Sequence, residues 1–157
     1  MVSGIDSVNN FSNMLIGEYT HTLDDKNRLS LPSKFRKVMG KTVVVTPGLD
    51  GCLFLFTESE WKKISGKLSE ASLLTADNRS FNRYMFGGAT DTPVDSAGRI
   101  LVPEFLKDRA KLAEKVVLVG VQSRIEIWNE SAWKNMKQIF EKEADRLAEK
   151  LGEVGVL

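Results

Sequence analysis

The chain has 157 residues, 42% hydrophobic and 27% charged, with 22 basic and 21 acidic side chains. That is enough for one compact domain, or two very small halves sharing a core. No run is long and apolar enough to span a bilayer. The single cysteine, Cys52, excludes an internal disulfide and fits a reducing cytoplasm, and the single histidine, His21, leaves no His/Cys cluster for a metal. A net charge of +1 does not by itself announce a nucleic-acid binder.

Residues 1–13, "MVSGIDSVNNFSN", lack the basic start and apolar stretch of a signal peptide and are expected to form a disordered N-terminal extension. The extended segment "GEYTHTLD" follows, then a turn, then a short apolar run, "RLSLP", stopped by Pro32. "SKFRKVMG" predicts a short basic helix starting near Ser33. "TVVVTP" and "CLFLF" predict strands joined by the turn "GLDG". "TESEW" opens a helix with Thr57 as N-cap and Glu60 completing a capping box. "ESEWKKISGKLSEAS" and "ADNRSFNRYMF" predict a helix or helix pair, and "FGGAT" a join.

The same succession then recurs as "TDTPVD", "RILVP", "EFLKDRAKL", "KVVLVGV", "RIEIW" and "NESAW", with Pro103 near the start of the short helix and Asn129 as N-cap of the last one. Pro93 in "TDTPVD" permits only an edge strand or a strand start. The final helix is expected over 130–152. Its Trp133, Met136, Phe140, Ala144, Leu147 and Leu151 form one apolar stripe, suited to packing on the core or to a neighbouring subunit.

The chain is therefore two copies of one unit, roughly 18–66 and 89–138. Asp24 matches Asp95, and Pro32 matches Pro103, both at an offset of 71. The offsets of later matches, 73 for "VVVT" and "VVLV" and 72 for "LFTESEW" and "IWNESAW", reflect one-residue loop insertions. Two copies make a duplication rather than a solenoid. Four short strands and a small helix bury too little apolar surface to offset chain entropy, so the copies must share a core. The expected fold is α+β: a small, closed or nearly closed pseudo-twofold β-barrel, with helices packed on it and a long C-terminal helix. Residues 14–88 and 89–157 are the two repeats of one combined domain.

"DDKNRLSLP" and "DSAGRILVP" are the phrases that carry chemistry. Their fourth position is Asn27 or Gly98, the two residue types that most readily take left-handed backbone angles. Asp24 and Asp95 can accept hydrogen bonds from the turn's N–H groups. Arg28 and Arg99 then stand at the first residue of a strand. They serve either as structural partners of those aspartates or as a pair of forks projecting from one face to grip guanine O6 and N7 or phosphate. Residues 26–41 carry Lys26, Arg28, Lys34, Arg36, Lys37 and Lys41 without an acid, so phosphate contacts would flank the first fork. The second loop, with Ser96, Ala97 and Gly98, is less basic.

From Met14 onward, "MLIGEYTHTLDDKNRLSLPSKFR" and "DTPVDSAGRILVPEFL" resemble the MraZ family, whose hallmark is a pair of DxxxR motifs: here Asp24–Arg28 and Asp95–Arg99. The resemblance implies an AbrB-like, double-split swapped-hairpin barrel. It implies a sequence-specific DNA-binding regulator acting at short G-containing direct repeats near its own promoter, upstream of the division and cell-wall gene cluster. It also implies ring-shaped homo-oligomers, association with the nucleoid, no cofactor, no small-molecule substrate and no membrane partner. The candidate DNA-binding residues are Arg28, Arg99, Lys26, Asn27, Lys34, Arg36 and Lys37, with Asp24, Asp95 and Gly98 shaping the turns. The competing reading is an AbrB-like antitoxin-type interaction module, which would carry an unstructured acidic or apolar tail. An enzyme would need a nucleophile, metal cluster or phosphate loop beside Asp24, Asp25, Asp91 and Asp95, and none is evident. A Cys52–His21 pair would depend on folding bringing the two together.

Overall fold

The computed structural model describes residues 14–157; the expectation for residues 1–13 lies outside them. Eight strands form: β1 (Ile16–Thr22), β2 (Arg28–Ser30), β3 (Thr42–Pro47), β4 (Leu53–Thr57), β5 (Thr90–Pro93), β6 (Arg99–Leu101), β7 (Lys115–Val121) and β8 (Ile125–Asn129). Five helices accompany them among the described residues: α1 (Ser33–Met39), α2 (Glu58–Ser69), α3 (Ala76–Gly88), α4 (Glu104–Arg109) and α5 (Glu130–Glu153). The elements fall where the two repeated phrases place them. Thr57 Oγ1 accepts from Glu60 N–H, and Asn129 Oδ1 from Ala132 N–H, each at 3.1 Å, so the twin helices α2 and α5 carry twin caps. The capping box expected at Glu60 is half made: its carboxylate takes Lys63 Nζ at 3.2 Å.

All pairing is antiparallel. One sheet has the order β1–β7–β8–β4–β3–β5, and the other is the ribbon β2–β6. Exchanging each strand for its twin in the other repeat reverses the six-stranded order onto itself, which is the signature of a pseudo-twofold axis. Leu29 pairs with Ile100 in the ribbon and Phe54 with Glu126 between β4 and β8. These are twin positions, so the axis passes through both pairs. Only β3–β4 and β7–β8 pair within a repeat; β1 pairs with β7, β5 with β3, β2 with β6 and β4 with β8.

The hydrogen bonding describes two sheets and no closed barrel. β1 reaches β2 through a single bridge, Leu23–Leu29. The intervening turn draws its N–H groups onto Asp24 instead of into a ladder. Strands β3, β4, β7 and β8 are buried on both faces, which is why they read as continuous apolar runs. One face meets the main core: Leu29, Ile100, Phe35 and Leu106 from the ribbon and short helices pack on Val43, Leu55, Leu118 and Ile127. The other face, with Phe54, Phe56, Val117 and Trp128, lies under α2, α3 and α5. Burial of a side chain such as Phe35 or Leu106 stabilises by about 1.5–3 kcal/mol.

Candidate nucleic-acid interface

Each DxxxR turn is built by its own aspartate. Asp24 Oδ1 accepts from the N–H of Lys26 at 2.9 Å and of Arg28 at 2.8 Å, and Asp95 Oδ1 accepts from Ala97 at 2.9 Å and Arg99 at 2.8 Å. The Asn27 N–H donates to the Asp24 carbonyl at 3.1 Å, and the Gly98 N–H to the Asp95 carbonyl at 2.9 Å. Asn27 and Gly98 sit at φ 60° and 76°, the left-handed region expected for the fourth position. The hydrogen bond from the following arginine's backbone is the main reason both carboxyls are held below their ordinary value of 3.8; burial works against it, and the arginine side chain adds to it.

The second oxygen of each aspartate accepts from the arginine side chain: Arg28 Nε to Asp24 Oδ2 at 2.7 Å, and Arg99 Nε to Asp95 Oδ2 at 2.9 Å. Structural partner and projecting fork are therefore not alternatives. The aspartate takes the inner nitrogen, and among the described residues the two terminal nitrogens of each guanidinium have no protein partner. The arginine side chains are about one-third exposed (35% and 34%).

Register decides where they point. In an antiparallel pair, directly opposed residues share a face, as do residues two apart along a strand. Arg28 opposes Leu101 and Ser30 opposes Arg99, so all four share the outward face, while Leu29 and Ile100 point into the core, 0% and 1% exposed. Arg28 and Arg99 are diagonal neighbours, about 7–8 Å apart at the backbone.

The flanking candidates do not all join this face in the same way. Lys26 is exposed in the first turn, Arg36 and Lys37 are exposed on α1, and Lys34 is half-buried. The side-chain amide of Asn27 is engaged, donating to Glu104 Oε2 at 2.5 Å. The guanidinium of Arg36 does not stay with its own repeat but lies against Gly98 of the second turn. Glu104 and this crossing escaped the sequence reading because the partners are 77 and 62 residues apart. Leu101 and Phe105, each 54% exposed, also lie at this end of the molecule. Comparison with their twins Ser30 and Lys34 was the signal available.

Other candidate chemistry is dispersed. Cys52 is fully buried, its Sγ donates to the Leu49 carbonyl at 3.2 Å, and burial pushes its thiol up to about 12. That leaves it a thiol at neutral pH, not a nucleophilic thiolate. No group of three or more His, Cys, Asp or Glu side chains among the described residues is placed to hold a metal.

A family model described as "MraZ protein, putative antitoxin-like" matches residues 14–84 and again residues 85–151. The chain belongs to the MraZ family. The double match falls on the two halves that the pseudo-twofold axis relates. A protein named "Transcriptional regulator MraZ" from Caldicellulosiruptor saccharolyticus is 42% identical over 143 residues, covering 91% of this chain and 100% of the relative. Proteins of the same name from Alkaliphilus metalliredigens and Pediococcus pentosaceus are 41% and 43% identical over the same spans. The MraZ resemblance noted in the two DxxxR motifs thus extends over nearly the whole chain.

Proposed function

We propose that this chain is a sequence-specific DNA-binding transcriptional regulator. It acts at short G-containing direct repeats near its own promoter, upstream of the division and cell-wall gene cluster. The observation that carries the reading is the pair of clamped guanidiniums sharing one outward face of the β2–β6 ribbon. Their spacing of about 7–8 Å is close to two base-pair steps of about 3.4 Å, so a two-stranded ribbon presenting them suits a major groove. Arg28 and Arg99 are the base or phosphate forks, and Lys26, Asn27, Lys34, Arg36 and Lys37 flank them. The inter-repeat pairing of β1 with β7 and of β5 with β3 supports an AbrB-like swapped-hairpin ancestry, with residues 14–88 and 89–157 as its two repeats. The regulator works in the cytoplasm on the nucleoid as a ring-shaped homo-oligomer, in which several weakly binding protomers meet several phased boxes at once. It uses no cofactor and acts on no small-molecule substrate. An antitoxin-type module would call for an unstructured tail to wrap its partner, whereas residues Glu130–Glu153 are one helix.

The test is a mobility-shift titration on the duplex upstream of the protein's own gene, against the same duplex with scrambled repeats, at two salt concentrations. Wild type should prefer the intact repeats. Arg28→Ala and Arg99→Ala should each lose about 1–3 kcal/mol at a cognate guanine and flatten the preference. Normal binding by both variants at moderate salt would refute the assignment.

A further inference from the structure

The two DxxxR turns differ in charge through the helices that roof them, and each is roofed by the other repeat. At the first turn stands α4: Val102 N–H donates to the Asn27 carbonyl at 2.8 Å, and Asn27 Nδ2 donates to Glu104. At the second turn stands α1: Leu31 N–H donates to the Gly98 carbonyl at 2.9 Å, and the Arg36 guanidinium lies on Gly98. The first turn brings Lys26, but it also brings Asp25 and receives a helix of mixed sign, whose Glu104 carboxylate takes Asn27 and whose Lys107 lines a groove with Asp24 and Asp25. The second turn has no charge between Asp95 and Arg99, yet it receives a helix bearing Lys34, Arg36 and Lys37 with no acid in its first turn. The loop that is less basic in sequence occupies the more basic place in space.

Gly98 makes the crossing possible. Its twin Asn27 holds a φ of 60° with a side chain, so the turn alone does not demand glycine. What a side chain here would displace is Arg36: a Cβ at position 98 would fall 2.0 Å from Arg36 Nε and 2.2 Å from Arg36 Cζ, and this exposed, flexible side chain would have to swing off the turn.

We infer that the second turn is the stronger DNA-gripping junction, that Arg36 contacts phosphate there beside Arg99, and that Glu104 damps the first turn. The inference rests on the DNA-binding reading above. A carboxylate within a Debye length of about 8–10 Å opposes phosphate approach, whereas a guanidinium held in place adds a phosphate contact and releases a counterion.

The test uses the full chain and the duplex carrying its upstream repeats, with anisotropy titrations at about 50 and about 200 mM salt. Arg36→Gln should weaken binding about threefold to tenfold and lower the salt slope by about 1, while its twin substitution Lys107→Gln should change affinity by less than about twofold. Glu104→Gln keeps an acceptor for Asn27 and removes only charge; it should tighten binding about threefold. Gly98→Asn retains a residue suited to positive φ but evicts Arg36, and it should act in the direction of Arg36→Gln, with its fold checked by circular dichroism. The inference is overturned if Lys107→Gln costs as much as Arg36→Gln, or if Glu104→Gln does not tighten binding, in a wild type that still prefers its repeats. A wild type with no preference for its repeats would remove the regulator reading itself.

Discussion

Asp24 and Asp95 do two jobs with two oxygens: one closes a turn, and the other holds Nε of the arginine that follows. Because their folded values lie below the ordinary 3.8, their stabilisation is complete above that value and lost as pH falls through the lower folded value. The melting temperature of wild type should therefore exceed that of Asp24→Asn/Asp95→Asn at neutral pH, and the gap should close in acid. A gap that stays constant through the acid range would show that these carboxylates do not carry the turn. Among the described residues, Lys37, exposed on α1, has no such clamp. Lys37→Ala should weaken binding to all duplexes about equally and lower the salt slope by about 1, which a comparison of intact and scrambled repeats would show.

Among the elements, α5 divides along its length. Trp133 is buried, donates through Nε1 to Glu18 at 2.9 Å and packs against Trp128, while Met136 and Phe140 are half-buried on the same cluster. Leu147 and Leu151, on the same stripe, are exposed. The first half is core, so Trp133→Ala should cost about 3–5 kcal/mol in denaturant unfolding. Removing everything after Glu141 should leave the unfolding midpoint nearly unchanged and lower the number of chains per particle, read by light scattering as molar mass divided by the truncated chain's mass. If the number of chains per particle is unaltered, the distal stripe does not join copies of the chain. Cutting before Ser131 would remove Trp133 and confuse the two effects. The stripe was readable from spacing alone. Its division was not, because spacing gives a face and says nothing of how far the sheet beneath it extends.

At the scale of the whole molecule, the two repeats share their sheets. Four of the six strand pairings cross between repeats, and β4, β3 and β5 lie side by side although β5 belongs to the other copy. Separate halves, 14–88 and 89–157, should show no cooperative melting as monomers and should regain it when mixed. A cooperative melt from a monomeric half would mean that each repeat holds a sufficient core. Of the expected closed or nearly closed barrel, the structure shows the α+β sheets without closure, the ladder ending at the DxxxR turns. The hydrogen bonds that would have closed the ladder go to Asp24 and Asp95, and strand patterning carries no sign of that diversion.

The sequence by itself determined the duplication, the order of elements, the turn chemistry of Asp24–Arg28 and Asp95–Arg99, and the family. All of these are local patterns, or identities compared at a fixed offset. Only the tertiary structure decided that the guanidiniums share a face, that Asn27 is held by Glu104, and that Arg36 lies on the other repeat's turn. Those contacts join residues more than sixty positions apart across a pseudo-twofold axis, and charge brought together by such an axis has no trace in linear spacing.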